Sequence, residues 1–361
     1  MKKLIIILIV GMIALTGCVA SPKQEVKSTS SGTIKEITIA GAGGLIEKMI
    51  RDEVAPKFTE KTGIKVNFIA GLSSEILSKV ELQKNAPQID IAMLSPTDVQ
   101  RAESKELIEL LSTKQIPNLA KIDERFVAVD DVSVPIFGYT IAPAYNKDIF
   151  EKEGIAPIAS WNDLIRPEYK GRTAFSDISS DFTYTILYNL AFANGGSLDN
   201  MEPGLTKAKE MAAYSTTFYK NSTQMIPALQ QEAAIVTVMG SYNIAQVADS
   251  GIPLQMVVPK EGSPLLANSA TIVKNSSNKK AAEEFVDLLI SPEMQEHFSE
   301  GGFYPVIEGV ETSDKYESII GVKESDNLYR QDVPKLAEIR GMWADRFMKE
   351  VTPDLGKKVG N

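Results

Sequence analysis

The stretch Glu36-Ile-Thr-Ile-Ala-Gly-Ala-Gly-Gly44 decides the fold class of this chain. Its first five residues alternate polar and apolar side chains, as a half-buried strand does, and its glycines then turn the backbone. Leu45 to Glu60 follows with apolar residues at helical spacing, and Ile64-Lys-Val-Asn-Phe-Ile69 has the composition of a second strand. A strand, a helix and a strand in this order predict a parallel α/β sheet with helices on its faces.

The glycines after the first strand resemble part of a dinucleotide-binding turn. That turn needs a third small residue at the position where this chain has Ile46, so a nucleotide site is disfavoured. The glycines indicate instead a tight turn that allows close approach to the backbone.

The same order of elements continues along the chain. Ile89 to Leu94 has the composition of a buried strand and ends at Ser95, and a second α/β block runs from Tyr139 to about Val258. The chain then returns to the first block and ends in a mainly helical tail. In such sheets ligands bind at the carboxyl ends of the strands, so the loops at those ends are expected to form the site.

The N-terminus combines a basic start, an apolar stretch from Leu4 to Leu15, and the only cysteine, Cys18. The stretch has the length of a secretory signal and is too short to span ~30 Å of hydrocarbon as a helix. Leu15-Thr-Gly-Cys18 resembles the lipobox of bacterial lipoproteins, which implies acylation of Cys18 with chains such as palmitate and cleavage before it. We expect a signal peptide at residues 1–17 and a flexible polar tether at residues 18–32. An ordinary signal peptide with an unmodified cysteine is the alternative.

Composition argues against several classes of function. Without Lys2 and Lys3, the 38 basic and 47 acidic side chains leave a net charge of about −11, which disfavours nucleic-acid binding. One cysteine and one histidine, His297, allow no internal disulfide and exclude most cysteine- or histidine-based metal sites and catalytic triads. We therefore expect no metal, no cofactor and no enzymatic activity.

Several short segments occur in a characteristic order. They are Phe58-Thr-Glu-Lys-Thr-Gly-Ile-Lys-Val66, Ala144-Tyr-Asn146, Ser160-Trp-Asn-Asp-Leu164, Pro167-Glu-Tyr-Lys-Gly171, Pro259-Lys-Glu-Gly262, Ser291-Pro-Glu-Met-Gln295 and Gly302-Phe-Tyr-Pro305. Together they resemble the extracellular solute-binding proteins of ABC importers, specifically the spermidine/putrescine-binding group and its phosphonate- and iron-binding relatives. The resemblance covers most of the chain after the tether.

This resemblance implies a two-lobed α/β fold, the type II periplasmic-binding-protein fold, with a ligand cleft between the lobes. We expect lobe 1 at residues 33–138 and 260–361, including the helical tail, and lobe 2 at residues 139–259. It further implies a monomer that captures a small solute and delivers it to the permease subunits of the importer. The expected location is the extracytoplasmic face of the cell membrane, where a lipid anchor holds the protein.

Ligand contacts are expected from the loops at strand ends, where the chain offers mainly hydroxyl and amide groups. Any one of these residues could instead serve only as a helix cap. The candidates are Gly43, Ser73, Ser74, Ser95, Tyr139, Ser179, Ser180, Asp181, Ser241, Tyr242 and Asn268. Trp161 is expected to pack beneath a helix cap rather than to contact ligand.

Polyamine-binding relatives enclose the methylene chain between aromatic rings and hold the ammonium ends with carboxylates. This chain departs from that pattern at five positions, where aromatic or acidic residues are replaced by Thr97, Ile178, Val238, Leu266 and Asn268. Of the expected acids near Asp177 only Asp181 remains. Asp181 could also be an ordinary first-turn residue that the helix dipole stabilises.

Two other ligand classes are weighed on the same basis. Ferric-ion relatives hold the metal with clustered tyrosines, whereas Tyr139, Tyr188 and Tyr242 are scattered in this sequence. The paired hydroxyls Ser73-Ser74 and Ser179-Ser180 resemble those of phosphonate and sugar-phosphate binders. Helix N-termini can hold an oxyanion without a basic side chain.

The leading hypothesis is therefore a small anionic or zwitterionic solute that carries phosphonate or phosphate. Polyamines, ferric ion and thiamine compounds are the alternatives, and the same serines could cap helices around a neutral ligand. From another class, a secreted hydrolase would have to use His297 with Glu296 or Glu300, or a carboxylate pair distant in sequence.

Overall fold

Strand β4 (Val134–Asn146) is the element around which the chain is arranged. The computed structural model describes residues 34–126, 131–220, 224–323 and 326–359, and β4 is a 13-residue strand with every residue buried. Its first half pairs with β9 (Ser263–Ile272), and its second half pairs with β7 (Val236–Gly240) and β8 (Leu254–Met256), all antiparallel. One strand therefore belongs to both halves of the main sheet.

The predicted parallel unit at the start of the chain is present. Strand β1 (Glu36–Gly41) lies between β2 (Lys65–Ala70) and β3 (Ile91–Leu94) and is parallel to both. The full order is β2-β1-β3-β9-β4-β7, and β10 (Leu328–Tyr329) pairs with β9. Because β9 is antiparallel to β3 and β4, the sheet is mixed rather than all parallel.

A separate pair of strands lies outside the main sheet. Strands β5 (Ala174–Ser176) and β6 (Thr217–Tyr219) are parallel to each other.

The predicted helix after β1 is one continuous run with a π-helical turn, Ile50–Val54, inside it. Several other helices begin directly after strands, so their N-termini lie at strand ends. The helices are α1 (Leu45–Met49), α2 (Ala55–Thr62), α3 (Ser73–Leu82), α4 (Pro96–Ser104), α5 (Lys147–Glu153), α6 (Asp181–Ala193), α7 (Glu202–Tyr214), α8 (Ile226–Gln230), α9 (Ser241–Asp249), α10 (Lys279–Leu289), α11 (Pro292–Glu300), α12 (Asp314–Ile320) and α13 (Val333–Glu350).

The segment around Trp161 has the structural role predicted for it. Trp161 is fully buried at the start of a 3₁₀ turn, and its Nε1–H donates to the Gly262 carbonyl at 2.8 Å. Ser160 caps this turn by accepting from the Asn162 N–H at 3.2 Å. The Trp161 indole thus joins two of the segments that carry the family resemblance.

The described residues from 34 to 359 form one compact unit. The boundaries proposed at residues 138/139 and 259/260 therefore remain predictions. Cys18, the signal peptide and the tether lie outside the described residues. Within the described ranges, no helix is both long and apolar enough to cross a membrane.

Candidate functional site

Three hydroxyl groups, those of Ser73, Ser95 and Thr97, come together beside the ends of β2 and β3; we name them the serine cluster. The Ser95 backbone N–H donates to Ser73 Oγ at 2.9 Å, and Ser95 Oγ lies 3.4 Å from Ser73 Oγ. Ser95 Oγ also lies 3.4 Å from Thr97 Oγ1. Ser95 occupies the N-cap of α4, but its side chain caps no backbone N–H. The predicted residues Ser73 and Ser95 therefore meet.

Ser74 and Gly43 are near this cluster in sequence but do not join its hydrogen bonds. Ser74 lies in the first turn of α3, where its carbonyl accepts from Ser78 Oγ at 2.8 Å. Gly43 is exposed in the turn after β1. The turn itself depends on Gly44, whose φ of 70° lies in the left-handed region that glycine adopts without strain.

Two predicted phenols, Tyr139 of β4 and Tyr242 of α9, pack against each other near the middle of the main sheet. Their ring centroids lie 5.5 Å apart with an interplanar angle of 86°. Burial, followed by the nearby charges of Tyr242, Asp181 and Tyr188, raises the pKa of Tyr139 well above its usual value. Burial and the charge of Asp181 also raise the pKa of Tyr242. Both phenols are therefore neutral at physiological pH and able to donate a hydrogen bond.

The other predicted serines make hydrogen bonds within the protein, and those of Ser179 and Ser180 are local. Ser180 caps α6, because its Oγ accepts from the Phe182 N–H at 3.2 Å. Ser179 is exposed, and its N–H donates to Asp177 Oδ1 at 2.9 Å. Ser241 is fully buried, and its Oγ accepts from the Thr140 N–H at 3.3 Å. Ser179 and Ser180, which the sequence paired with Ser73 and Ser74, therefore make local hydrogen bonds rather than a second cluster of hydroxyls.

Asn268 provides a different kind of polar group. It lies on β9 opposite Phe137 of β4, and its Oδ1 atom is buried without a hydrogen-bond partner among the described residues. Most buried acceptors in proteins are paired, because an unpaired one has lost its hydration without compensation. The Asn268 carbonyl oxygen is therefore available to accept a hydrogen bond from a ligand or an ordered water.

Asp181 forms an ion pair with Arg340 of α13, which the sequence analysis did not identify as a site residue. We name Asp181, Arg340, Thr97 and Tyr184 the Arg340 cluster. Arg340 Nη1 donates to Asp181 Oδ1 and, at 3.2 Å, to Thr97 Oγ1. The guanidinium carbon lies 4.2 Å from the centroid of the Tyr184 ring. Thr97 therefore connects the serine cluster to Asp181 through the guanidinium.

The electrostatics of this cluster keep Arg340 charged. Burial lowers the pKa of its guanidinium, but the charge and hydrogen bond of Asp181 raise it further, so that it lies above the usual value. The Arg340 side chain is only 14% exposed, and the Asp181 side chain is only 28% exposed. The one acidic side chain among the predicted ligand contacts is thus already neutralised by the protein.

A cavity of about 30 Å³ adjoins the Arg340 cluster. Trp343 also lines it, and the Trp343 Nε1–H is buried with no acceptor in the described part of the chain. Apolar groups of α13, of α6 and of the N-cap of α7 complete the wall. They belong to Tyr188, Met201, Leu336 and Ile339.

Comparison with known proteins identifies the class. The family model described as bacterial extracellular solute-binding protein matches residues 53–323, and the chain belongs to this family. Iron uptake protein A1 from Synechocystis sp. (strain ATCC 27184 / PCC 6803 / Kazusa) is 24% identical over 319 residues, 84% of each chain. The spermidine/putrescine-binding periplasmic protein of Escherichia coli (strain K12) is 25% identical over 258 residues, 69% of this chain and 72% of that protein.

A solved structure supports the same fold. The periplasmic binding protein AfuA from Actinobacillus pleuropneumoniae, with exogenous fructose-6-phosphate bound, superimposes with a TM-score of 0.73 and 23% identity. The match covers 88% of this chain and 98% of that one. The fold is therefore the two-lobed periplasmic-binding-protein fold, and the protein is an extracytoplasmic solute-binding protein of the ABC type, related to transport proteins rather than enzymes.

Proposed function

We propose that this protein is the lipid-anchored receptor of an ABC importer and that it binds a small anionic or zwitterionic organic solute. A phosphonate or a phosphorylated compound is the leading candidate. The receptor acts as a monomer, binds the solute between its lobes, and delivers it to the permease subunits in the membrane.

The observation that carries the proposed charge class is the ion pair between Asp181 and Arg340. A site for a cationic solute needs an unneutralised carboxylate, because a desolvated cation must regain a counter-charge. Here the guanidinium already satisfies Asp181, while hydroxyl and phenol donors lie nearby at Ser95 and Tyr139. Donors and one retained cation favour a solute that brings oxygen acceptors and negative charge.

The polyamine alternative also loses support at the positions where aromatic rings and a carboxylate would hold a polyamine. Val238 of β7 is fully buried and Leu266 of β9 is 6% exposed. Both side chains are aliphatic, so neither offers an aromatic face to a ligand. Asn268 contributes an amide where a carboxylate was expected.

Ferric ion is the second candidate, because phenols that are scattered in the sequence come together in space. Tyr139 and Tyr242 are in ring contact, and Tyr188 is close enough to raise the pKa of Tyr139. A bound ferric ion would have to displace the phenolic protons, since metal ligands bind in the deprotonated form. Binding would then give a visible charge-transfer band from phenolate to iron.

The surroundings of His297 do not support the hydrolase alternative. His297 lies on α11, its side chain is 35% exposed, and its Nδ1 is 3.9 Å from Glu300 Oε2. This is the geometry of a helix-surface pair at spacing i, i+3. We therefore assign His297 no part in ligand chemistry.

A thermal-shift series with purified protein tests the proposal. The compounds are phosphonates, phosphorylated metabolites, thiamine compounds, polyamines and ferric citrate, each measured with wild type and with Thr97→Val. We expect stabilisation by a phosphonate or phosphorylated compound without turnover, and a smaller shift in the variant. Stabilisation by spermidine or putrescine alone would contradict the oxyanion proposal.

A further inference from the structure

The surroundings of the Arg340 guanidinium have the form of a receptor for a cation. The Tyr184 ring lies 4.2 Å from the guanidinium carbon, Asp181 supplies the counter-charge, and the arginine side chain is only 14% exposed. An aromatic face together with a carboxylate is how proteins stabilise a cation that has lost its water. In this chain the protein itself supplies that cation.

Helix α13 holds Arg340 firmly in this position. Its N-cap residue Asp332 accepts from the Lys335 N–H at 3.0 Å, and the Tyr184 hydroxyl donates to the Arg340 carbonyl at 3.2 Å. Further along, Glu350 of α13 pairs with Lys209 of α7 at 2.9 Å. The guanidinium is therefore part of a docked helix rather than the end of a mobile tail.

The guanidinium still has donors to offer. Nη1 serves both Asp181 and Thr97, whereas Nε and Nη2 make no hydrogen bond to any described residue. One turn further along α13, Trp343 lines the same cavity, and its buried Nε1–H has no acceptor in the described part of the chain. Residues three apart share a helix face, so the Arg340 and Trp343 side chains are neighbours beside this cavity.

We propose that Arg340 is the residue that determines the charge class of the solute, an inference that rests on the proposed function. Its guanidinium occupies the cation subsite formed by Asp181 and Tyr184 and so excludes amines and guanidines. Its remaining N–H groups, with the Trp343 Nε1–H, receive the anionic group of the solute. Removal of the side chain therefore reverses the preference: the anion loses its partner, and an external cation gains one.

Calorimetric titration tests this reversal with three probes: ethylphosphonate as anion, and ethylguanidinium and putrescine as cations. We expect wild type to bind neither cation and Arg340→Ala to bind ethylguanidinium, whose shape matches the deleted group. Ethylphosphonate affinity should fall by about tenfold or more, as loss of a charge-assisted hydrogen bond predicts. Asp181→Asn added to Arg340→Ala should abolish the new cation binding.

Two further variants keep the test decisive. Lys349→Ala removes a cationic side chain from the exposed face of the same helix, outside the cavity, and it should bind all three probes as wild type does. Arg340→Lys keeps a cation at this position and should still exclude both external cations. If Arg340→Ala fails to fold, Arg340→Lys provides the test, because binding of ethylguanidinium to Arg340→Lys would overturn the inference.

The outcomes separate the two proposals. Arg340→Ala that folds, binds no cation and keeps its ethylphosphonate affinity overturns the role of Arg340 and leaves the proposed function standing. Cation binding by wild type would overturn both. If wild type binds no ethylphosphonate but the variant gains ethylguanidinium, the leading ligand fails while the cation subsite is confirmed.

Discussion

Asn189 is fully buried and Asn268 is partly buried, and the two residues differ in whether their side-chain oxygens are paired. Asn189 Nδ2 donates to the Thr185 carbonyl at 2.9 Å, and its Oδ1 accepts from the Tyr329 hydroxyl at 2.9 Å. Asn268 Oδ1 is buried and has no partner within the described ranges. The first amide supports the fold, and we propose that the second serves a ligand.

Alanine substitutions should separate these two roles. We expect Asn189→Ala to lower the free energy of unfolding by about 1–3 kcal/mol, because it leaves the partly buried Tyr329 hydroxyl without its acceptor. Asn268→Ala should cost less than about 1 kcal/mol, because its oxygen makes no bond to lose. Urea denaturation measures both values. The opposite ranking would show that Asn268 has a structural role.

At the same scale, the sequence predicted residues near one another in the chain better than those brought together by the fold. The Ser73–Ser95 contact follows from the rule that parallel strands end at one edge of the sheet. Tyr139 and Tyr242 looked scattered because β4 and α9 meet only in the folded sheet. Arg340 gave no local signal, since it lies on a tail helix far beyond the family segments.

Among the elements, α6 and α7 pack with unusually close backbones, and Gly204 makes this possible. A Cβ atom on Gly204 would lie 2.3 Å from the Leu187 carbonyl oxygen and 2.8 Å from the Ala191 nitrogen. Both are backbone atoms of α6, so no side chain can move aside. The helix that carries Asp181 at its start thus depends on one glycine of its neighbour.

A matched pair of glycine substitutions tests this packing. Gly204→Ala should destabilise the protein by about 1–3 kcal/mol through overpacking. Gly341→Ala in α13, where a Cβ would meet nothing within 4 Å, should instead stabilise it by about 0.5–1 kcal/mol through helix propensity. Thermal unfolding distinguishes the two signs. Equal effects at both positions would contradict the close contact between α6 and α7.

Acid should weaken the docking of α13. Hydrogen bonds from Arg346 and Lys209 lower the pKa of Glu350 from its ordinary value of 4.5 to about 2, and Arg346 also lowers the pKa of Glu202. A carboxylate with a lowered folded-state pKa contributes stability above its unfolded pKa and loses it as pH falls through the folded value. The contribution therefore declines between about pH 4.5 and pH 2.

Fluorescence of Trp343, measured in a Trp161→Phe background because the chain has two tryptophans, reports this change, since the Trp343 ring lies 5.0 Å from the Arg346 guanidinium. We expect the acid transition of wild type to flatten in Glu350→Gln, which carries no titrating group at this position. High salt should also flatten it, because these side chains are partly exposed and their charges are screened. An identical pH profile in both proteins would exclude Glu350 as the cause.

The elements themselves were predictable to different degrees. The β1, α1–α2, β2 order followed from local periodicity, and Ser160 and Trp161 took the predicted cap and core positions. The full length of β4 was not predictable, because a strand buried on both faces shows no alternation. The antiparallel placement of β9 depends on pairing between segments more than a hundred residues apart.

For the whole molecule, the fold and the expected N-terminal anchor serve one purpose. A receptor tethered beside its permease meets it at high effective concentration, so that even weak docking delivers solute efficiently. The proposed tether at residues 18–32 would set that concentration through its length. Lipid attachment at Cys18 is therefore part of the proposed function and not only of the location.

Substitution at Cys18 tests the anchor. We expect Cys18→Ser to abolish incorporation of labelled palmitate and to shift the protein from the membrane fraction to the soluble extracytoplasmic fraction. Ligand binding by the folded body should be unchanged in the released protein. A variant that keeps its label and its membrane association would contradict acylation at this residue.

Native mass spectrometry of the freshly purified protein tests the central claim most directly, because a solute captured in the cell reports its own identity. We predict a one-to-one adduct whose accurate mass and fragmentation identify an anionic or zwitterionic organic compound, with phosphonate or phosphate as the expected group. The same adduct should be lost from Arg340→Ala. An adduct with the mass of a polyamine or of ferric ion would contradict the account.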